Sequence, residues 1–111
     1  MGITDIKGVA CLKDSLAVLD FQNVLYVVGT KVNKRLMANV KLVQAIGPNS
    51  LCVLNFDRQI FKIDLGQFDV NLVAQSKHDF VEISVPNESH IFGLTADGNV
   101  YDTCNHRLLL T

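Results

Sequence analysis

The sequence predicts an all-β protein built from antiparallel sheets. Segments of four to eight residues, rich in Val, Ile, Leu, Phe and Tyr, recur from residue 8 to residue 110 between short stretches of Gly, Pro, Asn and Asp. That pattern is typical of β-strands joined by turns. Only residues 31–41 show apolar side chains at helical spacing, and the polar residues inside this run favour a loop over a helical turn.

The pattern predicts eleven strands, at residues 8–12, 16–21, 24–28, 40–46, 50–56, 59–65, 71–75, 80–85, 90–95, 99–103 and 107–110. Within 50–56, one face carries Leu51 and Val53, and the other carries Cys52 and Leu54. A strand that is apolar on both faces packs between two other layers. The sequence therefore predicts stacked sheets.

Three hairpin turns are predicted between successive strands. The strongest turn signal is Asp97-Gly98, because both residues can adopt the positive φ angles that a tight hairpin turn requires. Gln22-Asn23 and Asp57-Arg58 occupy equivalent places between two earlier pairs of apolar segments. Three hairpins therefore follow one another along the chain.

The hairpins belong to an internal repeat. Residues 15–29, SLAVLDFQNVLYVVG, align with residues 50–66, SLCVLNFDRQIFKIDLG, and residues 86–103, PNESHIFGLTADGNVYDT, align with residues 47–64, GPNSLCVLNFDRQIFKID. A further strand precedes each hairpin, and a more polar segment such as 67–75 follows it. Self-similarity at a fixed period is the signature of a repeat architecture.

A unit of three apolar strands and one polar outer strand, repeated about every 40 residues, resembles a blade of a β-propeller, most like the WD-repeat class. The resemblance implies about two and a half to three blades within residues 1–111, near 8–39, 40–78 and 79–111. The chain has no Trp, so the Trp-Asp pair of well-formed WD repeats is absent. A closed propeller typically has four to eight blades. The resemblance therefore predicts completion by the rest of a longer chain, by a protein partner or by self-association; a small β-sandwich is the alternative fold.

Composition and charge narrow the classes of partner. The chain is 49% hydrophobic and 19% charged, which excludes a disordered tail, and its net charge of −1 argues against nucleic-acid binding by phosphate neutralisation. A mean hydropathy of +0.26 predicts apolar surface that meets another protein or further chain. The N-terminal residues lack the apolar run of a signal peptide or membrane span, so we expect no membrane partner and an intracellular, cytoplasmic or nuclear location. Cys11, Cys52 and Cys104 fit no disulfide framework and are expected to be reduced and mostly buried.

The sequence offers little catalytic chemistry. Cys104 and His106 form one pair of soft ligands without a second pair, and two strand-edge residues are the simpler interpretation. His78 and His90 flank the predicted strand 80–85 and are expected to be partly exposed. Since no nucleophile motif, phosphate loop or metal-binding helix is present, we expect no enzyme, no catalytic residue, no metal and no cofactor.

One cluster of basic residues is a candidate interaction patch, formed by Lys31, Lys34, Arg35 and Lys41. Its simpler interpretation is a solvated loop between strands whose charges keep an edge soluble. Its functional interpretation is a binding site for an acidic peptide, a phosphate or RNA, because binding residues concentrate on loops. No aromatic residues lie between these charges, so the stacking of bases has little support.

Two classes of function follow from the sequence. The first is a non-enzymatic protein–protein interaction scaffold, a propeller segment of a larger intracellular complex. The second is a stand-alone small β-domain that binds a peptide or a small ligand. The first predicts self-association or dependence on a partner, and the second predicts a monomer that unfolds cooperatively.

Overall fold

The computed structural model describes residues 5–29, 33–87, 90–103 and 107–110, in which all regular structure is β-strand. Twelve strands form three antiparallel sheets of four strands each. Sheet 1 contains β1 (Ile6–Cys11), β2 (Ser15–Asp20), β3 (Leu25–Gly29) and β4 (Asn33–Met37). Sheet 2 contains β5 (Val40–Gly47), β6 (Ser50–Asn55), β7 (Gln59–Asp64) and β8 (Asp69–Gln75). Sheet 3 contains β9 (Phe80–Asn87), β10 (His90–Thr95), β11 (Val100–Asp102) and β12 (Arg107–Leu110).

The strands of each sheet follow chain order, so each sheet is an up-and-down meander of four strands. Sheet 2 lies between the other two, and the sheets come closest at their first strands, where β5 contacts both β1 and β9. This arrangement confirms the predicted all-β class with antiparallel sheets. The sandwich alternative is wrong, because a sandwich packs two sheets face to face and this chain stacks three.

Strand β4 corrects the prediction of a loop at residues 31–41. Residues 33–37 pair antiparallel with β3, and residues 31 and 32 lie outside the described residues. Leu36 and Met37 pack against the core between sheets 1 and 2, whereas Asn33, Lys34 and Arg35 are exposed. An edge strand needs few apolar residues, because only one of its sides is paired, and so its composition resembles that of a loop.

Two hydrophobic cores hold the three sheets together. The core between sheets 1 and 2 consists of Ala17, Leu19, Leu25, Val40, Leu51, Val53 and Ile63. The core between sheets 2 and 3 consists of Cys52, Leu54, Ile60, Phe80, Val85 and Ile91. Residues of β6 alternate between the two cores, which confirms the predicted burial of this strand on both faces.

Each hairpin is closed by the same turn, in which the last residue of the second strand accepts backbone hydrogen bonds through its side-chain oxygen. Asp20 Oδ1 accepts from the amides of Gln22 and Val24 at 2.9 and 3.0 Å. Asn55 Oδ1 accepts from the amides of Asp57 and Gln59, both at 2.9 Å. Thr95 Oγ1 accepts from the amide of Asn99 at 3.1 Å. This shared turn geometry explains why Asp, Asn and Thr occupy the same position of the repeat, since each has an accepting oxygen on a short side chain.

The fourth residue of each turn has a positive φ angle: 67° at Asn23, 64° at Arg58 and 91° at Gly98. In the first two hairpins the carbonyl of this residue also accepts a hydrogen bond from the chain leading into the next sheet. The amide of Val40 donates to the carbonyl of Asn23 at 2.9 Å, and the amide of Ser76 donates to that of Arg58 at 2.7 Å. The hairpin turns therefore fix where each following sheet begins.

Candidate protein-interaction surfaces

Each sheet has two faces, which we name by the order of the sheets along the chain. The back face of a sheet points towards the preceding sheet, and the forward face points towards the following sheet. Within the described residues, four faces meet one another at the two cores. The back face of sheet 1 and the forward face of sheet 3 have no sheet packed on them there, and we call them the two end faces.

The back face of sheet 1 is apolar and accessible. Val9, Val18 and Tyr26 lie opposite one another on β1, β2 and β3, and Leu16 lies opposite Val28. Val9 is 56% exposed and Leu16 is 41% exposed. Val18, by contrast, is only 8% exposed, and Tyr26 and Val28 are half-buried. An apolar face of this kind is unusual on a free surface.

This back face repeats the residue types of a face that is buried inside the protein. The hairpin turns place Leu16, Val18, Tyr26 and Val28 of sheet 1 in register with Leu51, Val53, Phe61 and Ile63 of sheet 2. Leu51, Val53 and Ile63 are fully buried against sheet 1. On their two inner strands the faces thus carry the same residue types, with only Tyr for Phe and Val for Ile changed. The outer strands differ, since Arg35 of β4 stands where Leu72 of β8 stands.

The forward face of sheet 3 carries Phe92, Leu94 and Val100, which line a shallow groove with Glu82 and Ser84. The same turn register aligns them with Ala17, Leu19 and Leu25, which form the buried forward face of sheet 1. The ring of His90 stacks on that of Phe92, with centroids 6.0 Å apart and an interplanar angle of 3°. The groove is therefore mainly apolar, with polar groups at its margin.

Ion pairs and hydrogen bonds at the hairpin ends connect neighbouring sheets. The Arg58 guanidinium donates to both carboxylate oxygens of Asp79, at 2.8 and 3.0 Å, and so links the β6–β7 turn to the segment before β9. The hydrogen bond from Arg58 is the main cause that lowers the pKa of the Asp79 carboxyl, and the same bond raises the pKa of Arg58. Asn39 Nδ2 donates to Asp57 Oδ2 at 2.9 Å between the β4–β5 connection and the same turn. These contacts orient sheet 2 relative to its neighbours.

The basic residues singled out in the sequence lie on different surfaces. Lys34 faces sheet 2, where its Nζ lies 4.0 Å from the ring centroid of Phe68. Arg35 pairs with Tyr26 and points to the back face of sheet 1. Lys41 lies at the start of β5 in the next sheet, and Lys31 lies outside the described residues. A binding role for these residues stays a prediction, and the fold does not bring Lys34, Arg35 and Lys41 to one face.

The histidines and cysteines differ in their surroundings. His78 stacks on Tyr101, with ring centroids 3.9 Å apart. Cys52 is buried and forms no disulfide, as expected, whereas Cys11 is an exposed thiol on the back face of sheet 1. Cys104 and His106 lie outside the described residues. The described residues contain no cluster of three His, Cys, Asp or Glu side chains that could hold a metal ion.

Three consecutive four-stranded meanders, stacked face to face with their first strands adjacent, are β-propeller-type blades. No protein-family model and no curated protein matches the chain, so its WD-repeat likeness stays a prediction. Solved structures do match. The chain is similar to the N-terminal domain of Nup159, with 19% identity and a TM-score of 0.62 over 98% of this chain and 30% of that one. It is also similar to a chain of the S. cerevisiae complex of Dbp5, Nup159 and Gle1 with IP6 and ADP, with 18% identity and a TM-score of 0.63 over 100% and 30%.

Two further structures extend the comparison. A segment of HIRA has 15% identity and a TM-score of 0.55 over 95% of this chain and 39% of that one. PorZ of Porphyromonas gingivalis has 18% identity and a TM-score of 0.59 over 89% and 16%. At these identities the likeness concerns the fold. This chain spans less than two fifths of each of these four matched chains.

The internal repeat of the sequence indicates the apolar end face of sheet 1, which a prediction of strands alone does not. Aligning 15–29 with 50–66 places Tyr26 beside Phe61 and Val28 beside Ile63. The shared residue types indicate that the two hairpins have similar packing environments. The alignment does not show which face of each strand is covered by another sheet. That assignment requires the stacking order of the sheets.

Proposed function

We propose that the chain is a non-enzymatic protein-interaction module, a propeller segment of a larger intracellular assembly whose two end faces receive further β-blades. One observation carries the proposal: the inner strands at the back face of sheet 1 repeat the residue types of a face whose Leu51, Val53 and Ile63 are fully buried between sheets 1 and 2. Because the same residue types are buried at the contact between sheets 1 and 2, the back face of sheet 1 is suited to a similar contact with another sheet.

The physical reason is the hydrophobic effect. Burial of apolar surface stabilises an association by roughly 25 cal/mol per Å², and an uncovered apolar sheet face favours self-association or aggregation. Val9 and Leu16, exposed by 56% and 41%, are the side chains that gain most from a cover. Phe92, Leu94 and Val100 on the forward face of sheet 3 would likewise be stabilised by burial under another sheet.

The comparisons support a scaffold role at the level of fold. One of the similar structures holds Nup159 together with Dbp5 and Gle1. Propeller blades present large surfaces formed by sheet faces and turns, which suits the binding of other proteins. We extend this role to the present chain as a proposal.

Light scattering over a range of concentrations tests the proposal. We expect the chain to form species heavier than one copy, and we expect Leu16→Lys and Phe92→Lys to reduce that association, because each places a charge on an end face. Val70→Lys is the matched control for Leu16, since Val70 is 46% exposed on the outer strand β8. Phe56→Lys is the control for Phe92, since Phe56 is 47% exposed at a hairpin turn.

A monomer at every concentration, with a single cooperative unfolding transition and no response to Leu16→Lys or Phe92→Lys, would contradict the proposal. That result would favour the second functional class, a stand-alone small β-domain. Ligand screening at the groove of Phe92, Leu94 and Val100 would then be the next experiment.

A further inference from the structure

We infer that a second copy of this chain covers both end faces, so that the back face of sheet 1 in each copy packs on the forward face of sheet 3 in the other. The inference deepens the proposed function and rests on it, since it names the partner of the same two faces. It rests on three observations: the residues of the back face, the residues of the forward face and the number of blades.

The back face of sheet 1 fits a forward face of this chain's own kind. Its counterpart in sheet 2 packs on Ala17, Leu19 and Leu25 of the forward face of sheet 1. Because Leu16 and Val18 repeat Leu51 and Val53 in the same register, the back face of sheet 1 can make the same type of contact. It requires a forward face that is free.

Sheet 3 supplies that face. Leu94 stands where Leu19 and Leu54 stand in the other sheets, and Val100 stands where Leu25 and Ile60 stand. All four of those equivalents are at most 4% exposed. Among the described residues, sheet 3 presents the one forward face of the chain on which no other sheet packs. A back face and a forward face of the same repeat therefore remain open at opposite ends of the stack.

The number of blades permits a closed ring. The described residues form three sheets, so two copies bring together six blades, and propellers typically close with four to eight. A head-to-tail contact that closes on itself forms a finite particle, whereas one that does not close forms a filament. Two copies joined in this way would bury both pairs of the end faces described above.

Sedimentation equilibrium and light scattering of the full chain test the inference. We expect a particle of two copies for the unmodified chain and for Val70→Lys. We expect single copies for Leu16→Lys, which damages only the back face, and for Leu94→Glu, which damages only the forward face. Circular dichroism and an unfolding curve for each variant would verify that the variants fold.

Mixing the two damaged variants gives the decisive result. An equimolar mixture of Leu16→Lys and Leu94→Glu retains one undamaged contact, between the back face of the second and the forward face of the first. We expect the mixture to regain the mass of two copies, with weaker association than the unmodified chain. A mixture that stays at one copy, or a Leu94→Glu variant that still pairs alone, would overturn the head-to-tail arrangement.

A measurement on the unmodified chain makes the test independent of variant folding. Cys11 is an exposed thiol on the back face of sheet 1, so pairing should slow its alkylation at least several-fold as protein concentration rises. Peptide-level mass spectrometry follows Cys11, with the buried Cys52 as an internal reference for unfolding. An alkylation rate of Cys11 that is the same at all concentrations would overturn the inference.

The outcomes separate the inference from the proposed function. Open-ended oligomers that Leu16→Lys dissolves would overturn the closed pair and support docking at the end faces. A single copy that neither variant affects would overturn both.

Discussion

Gly93 makes room for the ring of Phe80, which belongs to the first strand of the same sheet. The ring of Phe80 lies directly over it and leaves no room for a Cβ atom. Both residues are buried, and Phe80 belongs to the core between the two sheets. The absence of a side chain at this position of the repeat, where sheets 1 and 2 carry Val18 and Val53, is therefore a requirement of packing.

We expect Gly93→Ala to lower the free energy of unfolding by about 1–3 kcal/mol, because the added methyl group must displace the Phe80 ring. Urea unfolding measures the change. Gly47→Ala is the control, since a Cβ there would meet only Ser50 at an ordinary distance of 3.7 Å. If the two substitutions had the same effect, the close approach of Phe80 would not be the cause.

The side-chain oxygen of Asn55 closes the central hairpin. We expect a substitution that removes this oxygen to lower the free energy of unfolding more than one that keeps an oxygen in its place. Asn55→Ala leaves the amides of Asp57 and Gln59 without their partner, and we expect a loss of about 1–3 kcal/mol in urea unfolding. Asn55→Asp keeps an accepting oxygen, as Asp20 does in the first hairpin, and should lose less. Equal losses in the two variants would show that the accepted hydrogen bonds are not what this residue contributes.

At the scale of elements, the ion pair of Arg58 and Asp79 connects a hairpin turn to the start of the next sheet. Its two hydrogen bonds lower the pKa of the Asp79 carboxyl in the folded protein. The pair therefore stabilises the fold at pH values above the ordinary carboxyl pKa of about 3.9. That stabilisation is lost as the pH falls through the lowered pKa of the folded state.

We expect a carboxyl-detected NMR titration to give Asp79 a pKa below its ordinary value, and Arg58→Gln to return it towards that value. Lys77→Gln removes the same charge nearby and should leave the Asp79 pKa almost unchanged, because the causes of the shift are the bond to Arg58 and the charges of Arg58 and Lys41. An ordinary pKa in the unmodified protein would mean that the ion pair does not persist in solution.

The elements also show which strands the sequence predicts well. Strands with apolar residues on both faces, such as β6, are recognised because burial on two sides excludes polar side chains. Strand β4 is not recognised, because Asn33, Lys34 and Arg35 are exposed and only Leu36 and Met37 pack inward. The positions of the hairpin turns are predicted correctly, because Asn23 and Gly98 tolerate the positive φ angles found there. The prediction that Asp97 also has a positive φ angle is wrong, and in the second hairpin Arg58 takes that conformation. The basic patch could not be predicted as one surface, because adjacent residues of a strand point to opposite faces.

At the scale of the whole molecule, stability should be greatest in the middle sheet. Strand β6 is buried on both faces, with Leu51, Cys52, Val53 and Leu54 at most 2% exposed. Strand β8, at the outer edge of the same sheet, is almost entirely exposed. Amides that exchange only on global unfolding belong to the most buried elements.

Hydrogen exchange followed by mass spectrometry tests this gradient. We expect the amides of β6 and β7 to exchange slowest and those of β8 to exchange much faster, although both belong to sheet 2. Uniform exchange across sheet 2 would contradict the gradient and would indicate that the sheet opens as one unit.

The sequence by itself determined every strand except β4, the places of the hairpin turns and the repeat, because apolar alternation and turn residues act over a few neighbouring positions. Only the tertiary structure decided which apolar faces are covered. Leu16 and Leu51 have the same sequence surroundings, yet one is 41% exposed and the other is fully buried, since burial depends on whether another sheet is stacked on that face.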